Sequence, residues 1–296
     1  MNVLAAVAEH HDDVRAQLAA EYPNLPLHRD QAAILADRSI SGVLIGTPSP
    51  THFAVAKEAL QAGKDVFVEK PMTLNSRDAE ALVGIANAEG RVLMTGHLLL
   101  FQPAIRWIKE CLDARKLGQL YSLHQERMDL GRAQPVENVL WALGVHDIAV
   151  LLYLVGTQPQ RIRASGHRVL TPGVEDDVYV HMEFPGGVRA NLHNSWLWPS
   201  KRRRLVVVGS EGMLVYNEVR QTVTLHRKSI GPDLRNRDDG SEQVFDGHGQ
   251  PLRLELEHFL DCMRTRATPL ASGQSAVEVI KALEAAASML DNDGPH

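Results

Sequence analysis

The sequence predicts an α/β first half followed by an α+β second half. Up to about residue 115, short apolar runs alternate with helical patterns, which implies right-handed crossovers above a parallel sheet. From Tyr121 onward, strand-like runs cluster, with tight turns at Pro185-Gly186-Gly187 and Ser210-Glu211-Gly212. A length of 296 residues favours about two domains. The boundary falls near 115–120, giving units 1–117 and 118–296.

The elements follow in order. Val3 to Val7 is a short apolar run ending at Ala8-Glu9. Residues 12–20 read as a helix with Val14 and Leu18 on one face. A short strand at 25–27 and a short helix at 31–36 come next. Strand 43–46, helix 52–62, strand 65–68 and helix 76–89 complete the alternation, with Asn75 or Ser76 as the N-cap of the last. Residues 91–97 form another strand, ending in Gly96-His97. Pro103 opens a helix that closes near Ala114. This is Rossmann-like organisation. Beyond it, residues 136–154 form one long helical pattern. Residues 161–164, 178–184, 188–196 and 204–208 read as strands, and helices at 252–265 and 274–290 end the chain. Residues 178–184 alternate at period two, as expected for a sheet covered on one face. Trp196 and Trp198, two apart on one strand, should share a face. The polar, Gly/Asp-rich stretch 233–249 is expected to be a mobile loop.

Composition excludes several classes. A net charge of −5 argues against general nucleic-acid binding. The basic run Lys201-Arg202-Arg203-Arg204 is short enough to be a solvated strand edge, with phosphate contact as the alternative. Two distant cysteines, Cys111 and Cys262, suggest neither a disulfide framework nor a zinc site. Despite 14 histidines, no metal-binding spacing is present. No apolar run reaches membrane-spanning length, and no signal peptide is evident, so a cytoplasmic enzyme is expected.

Ligands of open α/β sheets bind beyond the carboxyl ends of the strands. Three loops lie there: Thr47-Pro48-Ser49-Pro50-Thr51-His52, Glu69-Lys70-Pro71 and Gly96-His97. Lys70, just before a proline, is placed to reach a substrate. A dinucleotide-binding unit normally begins with a strand, a Gly-x-Gly-x-x-Gly turn and a helix, and none stands near the N-terminus here. The chain opens on what reads as the second strand, where Glu9 would meet an adenosine ribose. The first strand is central in the order 3-2-1-4-5-6, so its absence should open a gap in the sheet. The expectation is a strand–turn–helix unit of roughly 25–35 residues encoded upstream; a remnant with impaired cofactor binding is the alternative.

These loops, together with Gly144-Val145-His146-Asp147-Ile148, resemble the glucose–fructose oxidoreductase / inositol dehydrogenase (Gfo/Idh/MocA) family over nearly the whole chain. The resemblance implies a Rossmann domain followed by an α+β domain with a large, open, mostly antiparallel sheet. It also implies NAD(P)-dependent oxidation or reduction of a sugar-like alcohol. Cofactor contacts would come from Thr47, Pro48, Ser49, His52, Glu69, Lys70 and His97. Many relatives carry an Asp four residues before the helix His; here that position is Ala142. This leaves Lys70 and His146 as the catalytic pair. The segments 96–104, 137–141 and 195–197 resemble a branch that contains UDP-N-acetylglucosamine 3-dehydrogenases, which prepare 3-amino sugars for lipid A.

Alcohol oxidation needs a base for the hydroxyl proton and a carbon facing the nicotinamide. His146 suits the base, since imidazole titrates near working pH. Lys70 then polarises the same oxygen, or the two roles exchange. Asp147 either orients the site or pairs on the helix surface. For a UDP-sugar, Arg127, Arg132, Lys201 and Arg203 are candidates for the diphosphate, with Asn138 and Trp196 for sugar or base. The cofactor expected is NAD, with NADP left open. Alternatives are a dehydrogenase of a free polyol, cyclitol or UDP-sugar acid, or a catalytically silent relative. The expected partners are a small sugar-like substrate and further copies of the chain, as a homodimer or homotetramer through the second sheet.

Overall fold

The computed structural model describes residues 4–131, 133 and 137–290. Its first half contains β1 (Val7–Ala8), α1 (Asp12–Glu21), β2 (Leu27–His28), α2 (Ala32–Ala36), β3 (Gly42–Ile45), α3 (His52–Gln61), β4 (Asp65–Val68), α4 (Ser76–Ala88) and β5 (Leu93–Thr95). Among the described residues all strand pairs here are parallel, and the sheet is in two pieces: β1 pairs with β2, and β3, β4 and β5 pair in that order. The break falls where the order 3-2-1-4-5-6 places its first strand. Leu44 is left exposed on β3, and α1 has no buried residue, with Val14 and Leu18 only half-buried.

The intact piece is packed on both faces. Val66, Phe67 and Val68 of β4 are fully buried, as the apolar run requires. Ala56, Ala59 and Leu60 of α3 cover one side, and Ala79, Leu82 and Ala86 of α4 join the same core. Asn75 caps α4, its side-chain oxygen accepting from the Asp78 N–H at 2.8 Å. At the amino end of β4, buried Asp65 accepts two bonds from the Arg266 guanidinium, at 2.7 and 3.0 Å, and one from the Val92 N–H at 2.8 Å.

The second half begins with α5 (Pro103–Asp113) and β6 (Leu120–Leu130). It continues through α6 (Val145–Val155), β7 (Arg161–His167), β8 (Asp177–Glu183), β9 (Arg189–Ser195), β10 (Leu197–Gly209), β11 (Met213–Asn217), β12 (Thr222–Ile230), β13 (Asn236–Asp246), α7 (Pro251–Thr265) and α8 (Gly273–Leu290). Eight strands form one sheet in the order β13-β12-β11-β10-β6-β9-β8-β7, antiparallel except for the parallel β6–β9 pair. One face is covered: on β8, Val178, Val180 and Met182 are buried while Tyr179, His181 and Glu183 are exposed. The last helix returns to the first half, with Ala276, Val277 and Ile280 of α8 packed in the α3/α4 core.

Three expectations are corrected. Residues 236–246 are strand β13 rather than a loop, paired from Thr222↔Asp246 to Ile230↔Asn236. Most of β13 is exposed, so no period-two burial pattern marks it. Main-chain bonds hold it, with cross-strand pairs between Arg227 and Glu242 and between Lys228 and Asp238. The long helical pattern is interrupted by a π-helix at Leu140–Gly144 before α6 begins. Trp196 and Trp198 do not share a face, because Trp196 lies between β9 and β10. It is buried in the core, whereas half-buried Trp198 meets the His193 ring edge-on.

Candidate functional site

The carboxyl ends of β3, β4 and β5 supply the three loops. The first is fastened to the second by buried His52, whose Nε2 lies 2.7 Å from the Thr47 carbonyl and Nδ1 2.8 Å from the Pro71 carbonyl. Thr51 donates to Thr47 Oγ1 at 2.7 Å, which closes the turn around Pro48 and Ser49. His52 therefore acts as a staple between loops. Glu69 lies against Gly96: a Cβ there would sit 2.8 Å from Glu69 Oε2, so a larger residue would displace the Glu69 carboxylate. The Lys70–Pro71 peptide is cis.

Half-buried Lys70 points across to the second half of the chain, and its Nζ donates to the Ala142 carbonyl at 3.0 Å. That carbonyl belongs to the π-helix; such bulges recur at functional sites. His146 follows in the first turn of α6, and its Nδ1 is buried without a partner. Burial, then the charges of Lys70 and Arg127, then His97 and Arg203, hold its pKa well below the usual imidazole value. His97, 2% exposed, has both ring nitrogens buried without partners. Burial and the Lys70 charge lower it to about 4. Lys70, His97 and His146 therefore form one electrostatic cluster with two neutral imidazoles beside an ammonium. His97 also lines a cavity of about 420 Å³ with Leu100, Tyr153, Ser275 and Glu278.

A charged network lies beside this cluster. Fully buried Asp147 accepts from Gln125 Nε2 at 2.9 Å, Arg127 Nε at 2.8 Å and Asn194 Nδ2 at 2.8 Å. Burial pushes its carboxyl up, yet three donors surround it, which is the setting of a carboxylate. Arg127 also donates to both oxygens of Glu218, at 3.1 and 2.6 Å, and Arg203 donates to Glu218 Oε1 at 3.1 Å. Burial raises the Glu218 carboxyl, but Arg127 and Arg203 outweigh it and hold it below the usual range. Asp147 is thus no surface pair: it pins the first turn of α6 to β6 and β9.

The residues expected to hold a substrate are dispersed. Arg127 is 4% exposed and faces two carboxylates rather than a phosphate. Arg203 is bound to Glu218. Asn138 donates to Glu175 at 2.7 Å and accepts from the Trp141 N–H at 3.1 Å, so its amide holds local structure. Trp196 is 4% exposed within the core and forms no substrate wall. Exposed Lys201 lines an open cavity of about 540 Å³ with Arg202, Arg204 and Arg220. Arg132 lies outside the described residues. Glu9 follows β1, its Oε1 accepting from the His11 N–H at 2.8 Å and lying 3.5 Å from His10 Nδ1.

Gln125, Asn194, Glu218 and Glu255 were not foreseen. Glu255, on α7, is 1% exposed, and its Oε1 has no partner. No local signal marks these positions, because a single buried polar residue on a strand or helix does not change the hydrophobic period. The unpartnered nitrogens of His97 and the buried, unpartnered Thr95 Oγ1, at the carboxyl end of β5 beside Lys70, fit the polar nicotinamide end of a dinucleotide.

Residues 3–97 match the oxidoreductase family with NAD-binding Rossmann fold, and residues 105–215 match the GFO/IDH/MocA C-terminal domain. UDP-N-acetylglucosamine 3-dehydrogenase from Acidithiobacillus ferrooxidans is 28% identical over 290 residues, covering 94% of this chain and 87% of that protein. Its solved structure superposes with a TM-score of 0.85, covering 97% of this chain and 89% of that one. The scyllo-inositol 2-dehydrogenase (NAD(+)) of Bacillus subtilis is 27% identical, covering 94% of this chain and 84% of that protein. Levoglucosan dehydrogenase, solved with NADH and levoglucosan, shares the fold at a TM-score of 0.85 and 18% identity, covering 99% of this chain and 89% of that one. No described helix is long and apolar enough to cross a membrane. The cofactor class is NAD, and the chain belongs to the GFO/IDH/MocA family of oxidoreductases.

Proposed function

We propose that this oxidoreductase oxidises a secondary hydroxyl of a nucleotide sugar, with the C3 hydroxyl of UDP-N-acetylglucosamine as the leading candidate. The observation that carries the reading is the approach of Lys70 to the helix of His146, with Nζ held on the Ala142 carbonyl at 3.0 Å. An ammonium has three N–H donors. One goes to Ala142, leaving two for a substrate oxygen. His146 Nδ1 is buried with no partner among the described residues, so on this reading the ring meets a hydroxyl through Nε2. A neutral imidazole there takes the hydroxyl proton while Lys70 stabilises the developing alkoxide. NAD, when bound, accepts the hydride. Residues 1–117 serve as the cofactor unit and 118–296 as the substrate unit. The exposed sheet face is the surface on which copies of the chain would associate.

The similarity to the Acidithiobacillus enzyme supports the nucleotide sugar. A free cyclitol or polyol is the second reading, favoured by a specific observation. Arg127 and Arg203, the cations expected to meet a diphosphate, are already paired with carboxylates. The deciding experiment follows NADH formation with UDP-N-acetylglucosamine, free N-acetylglucosamine and scyllo-inositol. Turnover of the UDP-sugar alone supports the first reading and turnover of inositol alone the second. No turnover of any of them, with no NAD binding by calorimetry, favours a silent relative.

A further inference from the structure

The basic run Lys201-Arg202-Arg203-Arg204 lies outside the catalytic cluster. With Arg220 it lines a cavity of about 540 Å³ at one end of the β10–β11 pair. Five cationic side chains meet there, and two of them have a carboxylate partner: Arg202 Nε lies 2.8 Å from Glu126 Oε2, and Arg203 donates to Glu218 Oε1 at 3.1 Å. Among the described residues, Lys201, Arg204 and Arg220 have no carboxylate partner. Like charges gathered around a concavity repel one another and focus a positive field on whatever enters it.

The cavity opens on the uncovered face of the sheet. Leu205 and Val207 of β10 and Leu214 and Tyr216 of β11 are buried in the core. Arg204, Val215 and Asn217 alternate with them, so their side chains stand on the other side. The helix that carries His146 packs on the covered side, where Asp147 accepts from Arg127. The cavity and the Lys70–His146 cluster thus lie on opposite sides of one sheet.

We propose that this cavity is an anion site for a small diphosphate-bearing molecule, separate from the catalytic cluster. A guanidinium presents a planar fork of N–H donors that meets phosphate oxygens two at a time, and Lys201 adds a mobile ammonium. Arg204 and Arg220 supply the forks that no carboxylate occupies. Asn217 fixes the edge of the cavity: its Oδ1 accepts from the Arg220 N–H at 3.1 Å, which leaves the amide nitrogen for a ligand. Val215 and Val219 add apolar surface against which a nucleobase can lie, and Val219 is 55% exposed. The cavity is in the size range of small-molecule sites, larger than one phosphate requires. The inference does not rest on the dehydrogenase reading, since it uses neither Lys70, His146 nor NAD.

The test is calorimetric titration of the full-length protein with pyrophosphate, UDP and uridine. The parent protein should bind pyrophosphate and UDP but not uridine. Arg204→Gln with Arg220→Gln should weaken pyrophosphate about tenfold or more, with an unchanged circular dichroism spectrum. Arg235→Gln with Arg253→Gln removes the same charge from exposed positions outside the cavity and should bind like the parent. If the first pair does not fold, Arg220→Gln alone, in an exposed turn, carries the comparison. No binding by the parent overturns the inference. Equal weakening by the two arginine pairs also overturns it, because diffuse charge would then account for binding. Loss of binding in Lys70→Met with none in the cavity variants places the anion at the catalytic cluster and overturns it as well. Pyrophosphate binding lost through Arg204 and Arg220, in a protein that oxidises no sugar, would uphold the anion site and count against the dehydrogenase reading.

Discussion

The Nζ of Lys70 lies 3.0 Å from the carbonyl oxygen of Ala142. Ala142 is the position where, by the family resemblance, many relatives carry an aspartate. A main-chain oxygen therefore stands near the lysine in place of a side-chain carboxylate. A carbonyl accepts a bond from the ammonium without adding a negative charge. On the proposed reading, this leaves the charge of Lys70 for a substrate oxygen.

Removing that charge should stop chemistry more than folding. Lys70→Met is expected to lower kcat by roughly 10²–10⁴-fold with an unchanged circular dichroism spectrum. Lys70→Arg should not restore activity, because a planar fork cannot keep the single bond to Ala142 and also meet a substrate oxygen from the same point. Steady-state kinetics on purified variants checks both.

Asp147 should matter for stability. Asp147→Ala leaves the buried Arg127 guanidinium short of one carboxylate and the Gln125 and Asn194 amides without their acceptor. Breaking a buried pair from one side costs about 3–5 kcal/mol. Urea denaturation of the variant against the parent should show a loss of that order.

Gly144 is fixed by contact. A Cβ there would lie 2.7 Å from Asn194 Oδ1 and 2.8 Å from Leu140 Cδ1. Gly144→Ala should destabilise by about 1–3 kcal/mol through overpacking. It should also lower kcat, because the first turn of α6 that carries His146 must move away from β9. Thermal melts and turnover, read together, check this.

Glu255 predicts a pH dependence with a definite sign. Burial first, then the charge of Glu69, raises its carboxyl from 4.5 to about 8. The folded state therefore holds the protonated form, and its contribution is complete below about 4.5. That contribution is lost as pH rises through about 8. The melting temperature should fall across this window, and Glu255→Gln should flatten the fall. A fall of equal size in the variant would assign it to other groups.

Much of the fold was legible in the chain. Strand 65–68, the helix opening at Ser76 with its Asn75 cap, and the three loops at strand ends follow from local period and from punctuation by Gly, Pro and Asn. Strand β13 was not, because its residues are exposed and main-chain pairing leaves no mark on composition. The π-helix was not, because one extra residue per turn barely disturbs an apolar stripe.

The site divides in the same way. The order of elements, the placing of Lys70 beyond a parallel strand and the absence of a glycine-rich turn near the N-terminus were all readable in 296 letters. Partnership was not. Arg127 meets Glu218 across 91 residues, and whether an arginine faces a phosphate or a carboxylate depends on which strands lie side by side. Local sequence governs dihedral preference and period, which act over a few residues. Charge pairing and burial act through space, so the folded sheet assigns Arg127 to Asp147 and Glu218 and leaves Lys70 facing Ala142.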